Sequence, residues 1–188
     1  EAGNEELVLE VIEAIYRPRA AYLDLLSPAD RAELAELVPW ARRAGDPYLA
    51  VGMARRLLMA SQSEALSAGL HDQILLAYLD LPLAEDTRVL AEEWIAREPR
   101  YGRSALGWVV LARLEFEAGN YEVALNTVLK PIVFSSQYPM EYLYDAYAMA
   151  IMAAANLGEK EQAQALLDEM NARNLPVPED RAVIGYYE

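Results

Sequence analysis

The chain contains no cysteine, which excludes disulfide staples and thiol nucleophiles but leaves the compartment open. Histidine occurs once, at His71, so a histidine-rich metal site is impossible and a Ser-His-Asp triad would rest on that residue alone. Adjacent helical positions do not face each other, so Asp72 is no partner for it, and His71 reads as a surface or partly packed side chain. Basic residues are scarce: 16 Lys and Arg stand against 30 Asp and Glu, a formal charge of −14 at pH 7. A nucleic-acid backbone would meet a repulsive field, so nucleic acid is excluded as a partner. The acids are dispersed and read as solvated helix faces.

Long apolar runs are also missing. The longest, residues 146–157, falls short of the eighteen needed to span a membrane and is rich in Ala, as expected of a helix packed closely against others. The chain begins at Glu1 without a Met or a signal-like segment, and we expect a mature product or an excised soluble domain. Gly102 and Gly107 are not followed by the Lys-Ser or Lys-Thr pair of a phosphate loop, and Asp80, Glu85 and Asp86 lack the ligand spacing and central Gly of a calcium loop. Glu92 and Glu93 read as an exposed helix edge, and Glu159, Glu161, Asp168 and Glu169 as acidic surface. No catalytic residue, cofactor or metal is expected, and the chain is read as a non-enzyme.

What is present is 54% hydrophobic content, ample for a core. Ala, Leu and Glu dominate, and 12 Tyr outnumber two Phe, a composition that favours helix. Leu7, Val8, Val11, Ile12 and Ile15 mark a first helix capped by Asn4, which Pro18 should bend or end. Ser27-Pro28 and Asp46-Pro47 are cap-plus-proline start signals. Leu34 and Leu37 supply a buried side that Pro39 disrupts, and Val51, Ala54, Leu57 and Leu58 mark the next. Residues 61–67 read as turn or continued helix. Ile74, Leu75, Tyr78 and Leu79 form one stripe and Leu90, Trp94 and Ile95 another, joined by a short loop that makes them antiparallel neighbours. Residues 103–118 and 121–134 form the best helical pair, residues 140–157 and 159–171 the last.

These two pairs carry similar phrases. Trp108, Leu111, Ala112, Gly119, Tyr121, Ala124 and Val128 are matched by Tyr147, Ala150, Ile151, Gly158, Ala163, Leu167 and Met170: an aromatic, small and branched residues one turn later, a Gly at the turn, and Ala five residues beyond it. On these residues the chain resembles the tetratricopeptide repeat family. An earlier copy uses Leu75, Ala91, Trp94 and Pro99, with Leu81-Pro82-Leu83 in place of the turn Gly. About three repeats then cover residues 68–174. Glu115 and Ala154 stand where the family usually has a tyrosine, and Gly119 and Gly158 are 39 residues apart, five more than a regular repeat. The surplus lies around residues 131–139, where a longer second helix or an inserted connection is expected.

The resemblance implies an all-α, right-handed superhelix of antiparallel helix pairs. It forms one solenoid domain over 1–188, with divergent helices in 1–67, repeats in 68–174 and a capping tail in 175–188. It also implies a noncatalytic protein-interaction scaffold whose first helices line a concave groove. Residues 74–78, 103–113 and 144–152 are expected there, with Tyr78, Arg103, Arg113, Tyr144 and Tyr147 as partner-binding candidates. Tyr144 and Tyr147, three apart, can share a helix face that Tyr142 cannot join, and tyrosines bury apolar area while keeping a hydrogen-bond donor. Arg103 and Arg113 offer carboxylate contacts or local ion pairs. The expected partner is a protein or peptide, in a bacterial envelope, secretion or polysaccharide-export assembly, on the cytoplasmic or periplasmic side of the inner membrane. The style of composition rather than a motif prompts that setting. The alternative is a homo-oligomeric module that packs its apolar tail into another copy, and a hydrolytic helical protein with a close carboxylate pair is a third class.

Overall fold

The computed structural model describes residues 2–61, 63–81, 84–97, 104–135 and 142–175, and these are helical apart from short connections. They fall into two compact units, Glu1–Leu83 and Ala84–Glu188. The boundary lies between the two helices assigned from sequence to the first, weakest repeat.

In the first unit, α1 (Ala2–Ala20) and a single 3-10 turn (Leu23–Leu25) precede α2 (Pro28–Ala35), α3 (Leu37–Arg43), α4 (Pro47–Ala60) and α5 (Glu64–Leu79). The start signals act as their chemistry requires. Ser27 Oγ accepts from the Asp30 amide at 3.1 Å while the Asp30 carboxylate accepts from the Ser27 amide at 3.2 Å and its hydroxyl at 2.6 Å. This closes a capping box, and those donors hold the Asp30 carboxyl below its usual range. Asp46 Oδ1 caps α4 by accepting from the Leu49 amide at 2.8 Å. The ambiguous stretch 61–67 resolves into a start, with Ser63 capping α5. Pro18 neither ends nor delays α1, which closes two residues later. Pro39 sits in the first turn of α3, where its ring excludes the carbonyl bond to residue 35 and separates α2 from α3 at Glu36. Here α1 packs on α3, α3 on α4, α4 on α5, and α2 on all three of α3, α4 and α5.

The second unit comprises α6 (Ala84–Arg97), α7 (Leu106–Glu117), α8 (Tyr121–Phe134), α9 (Leu143–Leu157) and α10 (Lys160–Arg173). Each helix packs on the next, and α9 also packs on α7. The four helices of the last two pairs are present, and each packs on the next. The tail beyond 175, residues 136–139 of the inserted stretch, Arg103 and Pro99 lie outside the described residues. Every residue of α9 from Ala146 to Ala150 is buried, as its alanines allow.

The turn Gly119 has φ +81° and Gly158 φ +81°, a backbone region that glycine enters without steric cost. The hydrogen bonds match as well. Gly119 and Asn120 amides donate to the carbonyls of Phe116 and Glu115 at 3.0 and 2.8 Å, and Gly158 and Glu159 amides to those of Ala155 and Ala154 at 3.1 and 3.0 Å. Both are Schellman motifs, which satisfy the last carbonyls of one helix while starting the next. A third copy joins α3 to α4: Gly45 and Asp46 donate to Arg42 and Ala41 at 3.0 and 3.1 Å, and Ala50, five residues past that Gly, is buried. The sequence pattern groups only the later two. The Gly-to-Ala spacing is present at Gly45, but Pro39 breaks the preceding helix and hides the rest of the phrase.

Gly107, which fails as part of a phosphate loop, has a packing role. A Cβ there would lie 2.9 Å from Ile95 Cγ1, 3.3 Å from the Ala91 carbonyl oxygen and 3.4 Å from Trp94 Cδ1, so the absent side chain lets α7 approach α6. Gly107→Ala should be near neutral in urea unfolding, because about 1 kcal/mol of helix propensity offsets a small displacement of Ile95. Gly107→Val gains no such offset and should cost about 2–3 kcal/mol; equal stability of the two variants would contradict this close approach.

Candidate partner-binding surface

The aromatic that opens each repeat faces the second helix of its own pair. On α7, Trp108 is half-buried, and Lys130 Nζ of α8 lies 4.9 Å from the ring centroid. On α9, Tyr147 is 0% exposed and its hydroxyl donates to Glu169 Oε1 of α10 at 2.7 Å. In both pairs the contacting residue lies 22 positions on. The two repeats therefore share a packing site, with a cation over the ring in each and a charge-assisted hydrogen bond from the tyrosine hydroxyl added in the second.

Around Tyr147 the polar groups form a chain. Arg173 Nη2 donates to Glu169 Oε1 at 2.8 Å, Arg173 Nη1 to Ser135 Oγ at 2.7 Å, and Ser135 Oγ to the Ile132 carbonyl at 2.6 Å. The Arg173 guanidinium also lies 5.5 Å from the Tyr147 ring centroid. The chain ties the end of α8 to α9 and α10. Burial, reinforced by Glu169, pushes the Tyr147 hydroxyl well above its ordinary pKa, and the Tyr147 and Arg173 donors hold Glu169 below its own. In the preceding repeat Glu115 acts similarly, accepting from Asn120 Nδ2 at 2.8 Å and pairing with Arg88 of α6 at 2.7 Å. Asn120 first and Arg88 second lower its pKa.

Of the five partner-binding candidates, Tyr78 belongs to the first unit and Arg113, Tyr144 and Tyr147 to the second, while Arg103 lies outside the described residues. Tyr78 is half-buried; Arg55 Nη2 donates to its hydroxyl at 2.5 Å, with the guanidinium 5.5 Å from the ring centroid. Arg113 pairs with Glu117 at 2.8 Å, the local ion pair that the sequence offered as its other reading. Tyr144 is half-buried in the first turn of α9. Tyr147 requires a correction: it is not a surface anchor beside Tyr144, because its position in the repeat directs it inward to α10. Three residues of spacing place two side chains near one face, but the width of the buried stripe decides whether both reach water.

Trp108 opens the repeat yet stays partly exposed, as do Ile151 and Met152 on α9; all three fall within the ranges 103–113 and 144–152 named from sequence, and with Tyr144 they supply apolar side chains partly open to solvent. Sequence reasoning missed one feature. Asp145, beside Tyr144, is only 3% exposed, and its Oδ2 has no hydrogen-bond partner. Burial pushes its carboxyl up to about 7, opposed only by its own backbone amide. No sequence signal marks that aspartate, since an acid in the first turn of a helix is ordinarily a solvated, favourable placement.

Among the described residues no helix is long and apolar enough to cross a membrane. No protein-family model, curated protein or solved structure matches the chain.

Proposed function

We propose that the chain is a noncatalytic protein-interaction scaffold of the tetratricopeptide-like kind, a right-handed array of antiparallel helix pairs that holds a segment of a partner protein along its first helices. The observation that carries this reading is the recurrence, 39 residues apart, of one turn geometry and one aromatic packing site. Stacked copies of a helix pair leave one helix of each along a shared surface, and binding specificity then resides in the side chains that packing leaves partly exposed. On α9 these are Tyr144, Ile151 and Met152, and Arg113 of α7 occupies the repeat position of Met152; Tyr78, in the first unit, and Arg103, outside the described residues, stay candidates on the sequence alone. Ordinary acidic faces elsewhere disfavour nonspecific association. The Ala-, Leu- and Arg-rich composition directs the search for a partner first to bacterial envelope, secretion and export assemblies, on either side of the inner membrane.

Capture from native cell extract on the immobilised chain, followed by titration of the purified partner, tests this reading. Tyr144→Ala should weaken binding about tenfold or more, the effect of removing an aromatic anchor, and leave the helical content unchanged. Arg113→Ala should act in the same direction and make binding less sensitive to salt. Undiminished binding by both folded variants would remove this surface from the proposal.

A further inference from the structure

The helix α1 is apolar on two sides. Its buried side carries Ile12 and Tyr16, yet Leu7, Val11 and Ile15 are 56%, 51% and 37% exposed. A helix that only covered its own unit would place polar residues on that second side. The exposed row has a regular spacing. Asn4, Leu7, Val11, Ala14 and Pro18 alternate steps of three and four residues, the seam of a two-stranded coiled coil, and all five are exposed. In that register Asn4, Val11 and Pro18 take the a positions and Leu7 and Ala14 the d positions. Val8 and Ile15 then flank one edge, Glu10 and Arg17 the other.

The edge residues choose the occupant. The outer edge is acidic at Glu10 and basic at Arg17, a polarity that complements itself when one helix is reversed over another. In an antiparallel pair with a-to-d layers, Leu7 faces Pro18 and Val11 faces Ala14 of the second helix. The same register sets Glu10 against Arg17 on one edge and Val8 against Ile15 on the other. The four layers made by Leu7, Val11, Ala14 and Pro18 are apolar, Asn4 falls at the end of the seam opposite position 21 beyond α1, and the edge contacts are either apolar or of opposite charge. A parallel pair would stack Asn4 on Asn4 and leave Glu10 and Arg17 opposite the apolar edge.

We infer that α1 pairs antiparallel with α1 of a second copy of this chain, across a twofold axis passing near residues 12 and 13. A twofold interface of this kind uses the same patch on both copies. Arg17, already paired with Glu13 at 2.8 Å and with its side chain 73% exposed, gives up little to reach across, since an exposed pair one turn apart is weak. Beside the amino-terminal end of the seam, a cleft of about 350 Å³ between α1 and α3 is lined by Asn4, Glu5, Val8, Trp40, Arg43 and Ala44, and Trp40 is 54% exposed there. It widens an interface that one helix about 28 Å long makes narrow. The dimer is accordingly reversible and depends on concentration.

Sedimentation equilibrium of the whole chain over a range of concentrations should show a monomer–dimer equilibrium. Glu10→Arg should weaken it about tenfold by creating two like-charged contacts, and adding Arg17→Glu in the same chain should restore it. Orientation is read by cross-linking in a protein free of native thiols. Oxidising a mixture of Leu7→Cys and Pro18→Cys chains should yield the mixed disulfide. Leu7→Cys alone should yield none, its two copies being about 16 Å apart along the seam. These positions are exposed, and unchanged circular dichroism verifies the fold of each variant. A monomer mass at every concentration overturns the inference. So does a dimer indifferent to Glu10→Arg, which would lie on another face, or a self-linked Leu7→Cys dimer, which would be parallel.

Discussion

Tyr147→Ala should destabilise the second unit by about 3–5 kcal/mol, the range for removing a fully buried aromatic. The ring is enclosed between α9 and α10, and its loss leaves a cavity as well as an unfilled acceptor on Glu169. Tyr147→Phe removes only the hydroxyl. Glu169 keeps Arg173 at 2.8 Å, so that variant should lose about 1 kcal/mol. Urea unfolding of the two variants separates packing from hydrogen bonding, and equal losses would place the stabilisation in the Glu169 bond instead. Binding experiments on this surface should therefore use Tyr144→Ala, because a Tyr147→Ala protein that fails to bind reports unfolding.

Asp145→Asn should stabilise the protein at pH 8 by about 1–3 kcal/mol and give little gain at pH 4. The folded carboxyl titrates near 7 against 3.8 for its ordinary value. Well below pH 3.8 both the folded and the unfolded chain hold the proton, and burial carries no charge penalty. Between pH 4 and 7 the unfolded chain releases it while the folded chain retains it, so this residue's contribution to stability declines as pH rises. Glu115 and Glu169 have lowered values in the folded state and impose the opposite slope, so the informative quantity is the difference between parent and variant. A difference that stays flat from pH 4 to 8 would show that Asp145 does not titrate in that window.

The helices were legible because their determinants are local. A hydroxyl or carboxylate before proline starts α2 and α4, and glycine with positive φ closes α7 and α9; each acts within five residues, and each is visible in the chain itself. The repeat was legible for the same reason, since Trp108 and Tyr147, Gly119 and Gly158, and Ala124 and Ala163 recur at one interval. The candidate surface was less so. Tyr144 and Tyr147 look alike in sequence, yet one is half-buried and the other enclosed, because exposure depends on which neighbouring helix covers each side of α9. Asp145 gave no sign of burial, and Gly107 only becomes informative once Ile95 and Trp94 are seen across the helix contact.

By itself, then, the amino-acid order determined the all-helical class, the places where helices begin and turn, and the internal repetition, all set by backbone sterics and short-range hydrogen bonds. Only the tertiary structure decided which aromatics anchor helix to helix, which acid is withdrawn from water, and that α1 keeps an apolar seam exposed. Those outcomes depend on the area that distant segments remove from solvent, a quantity that periodicity along one helix does not contain.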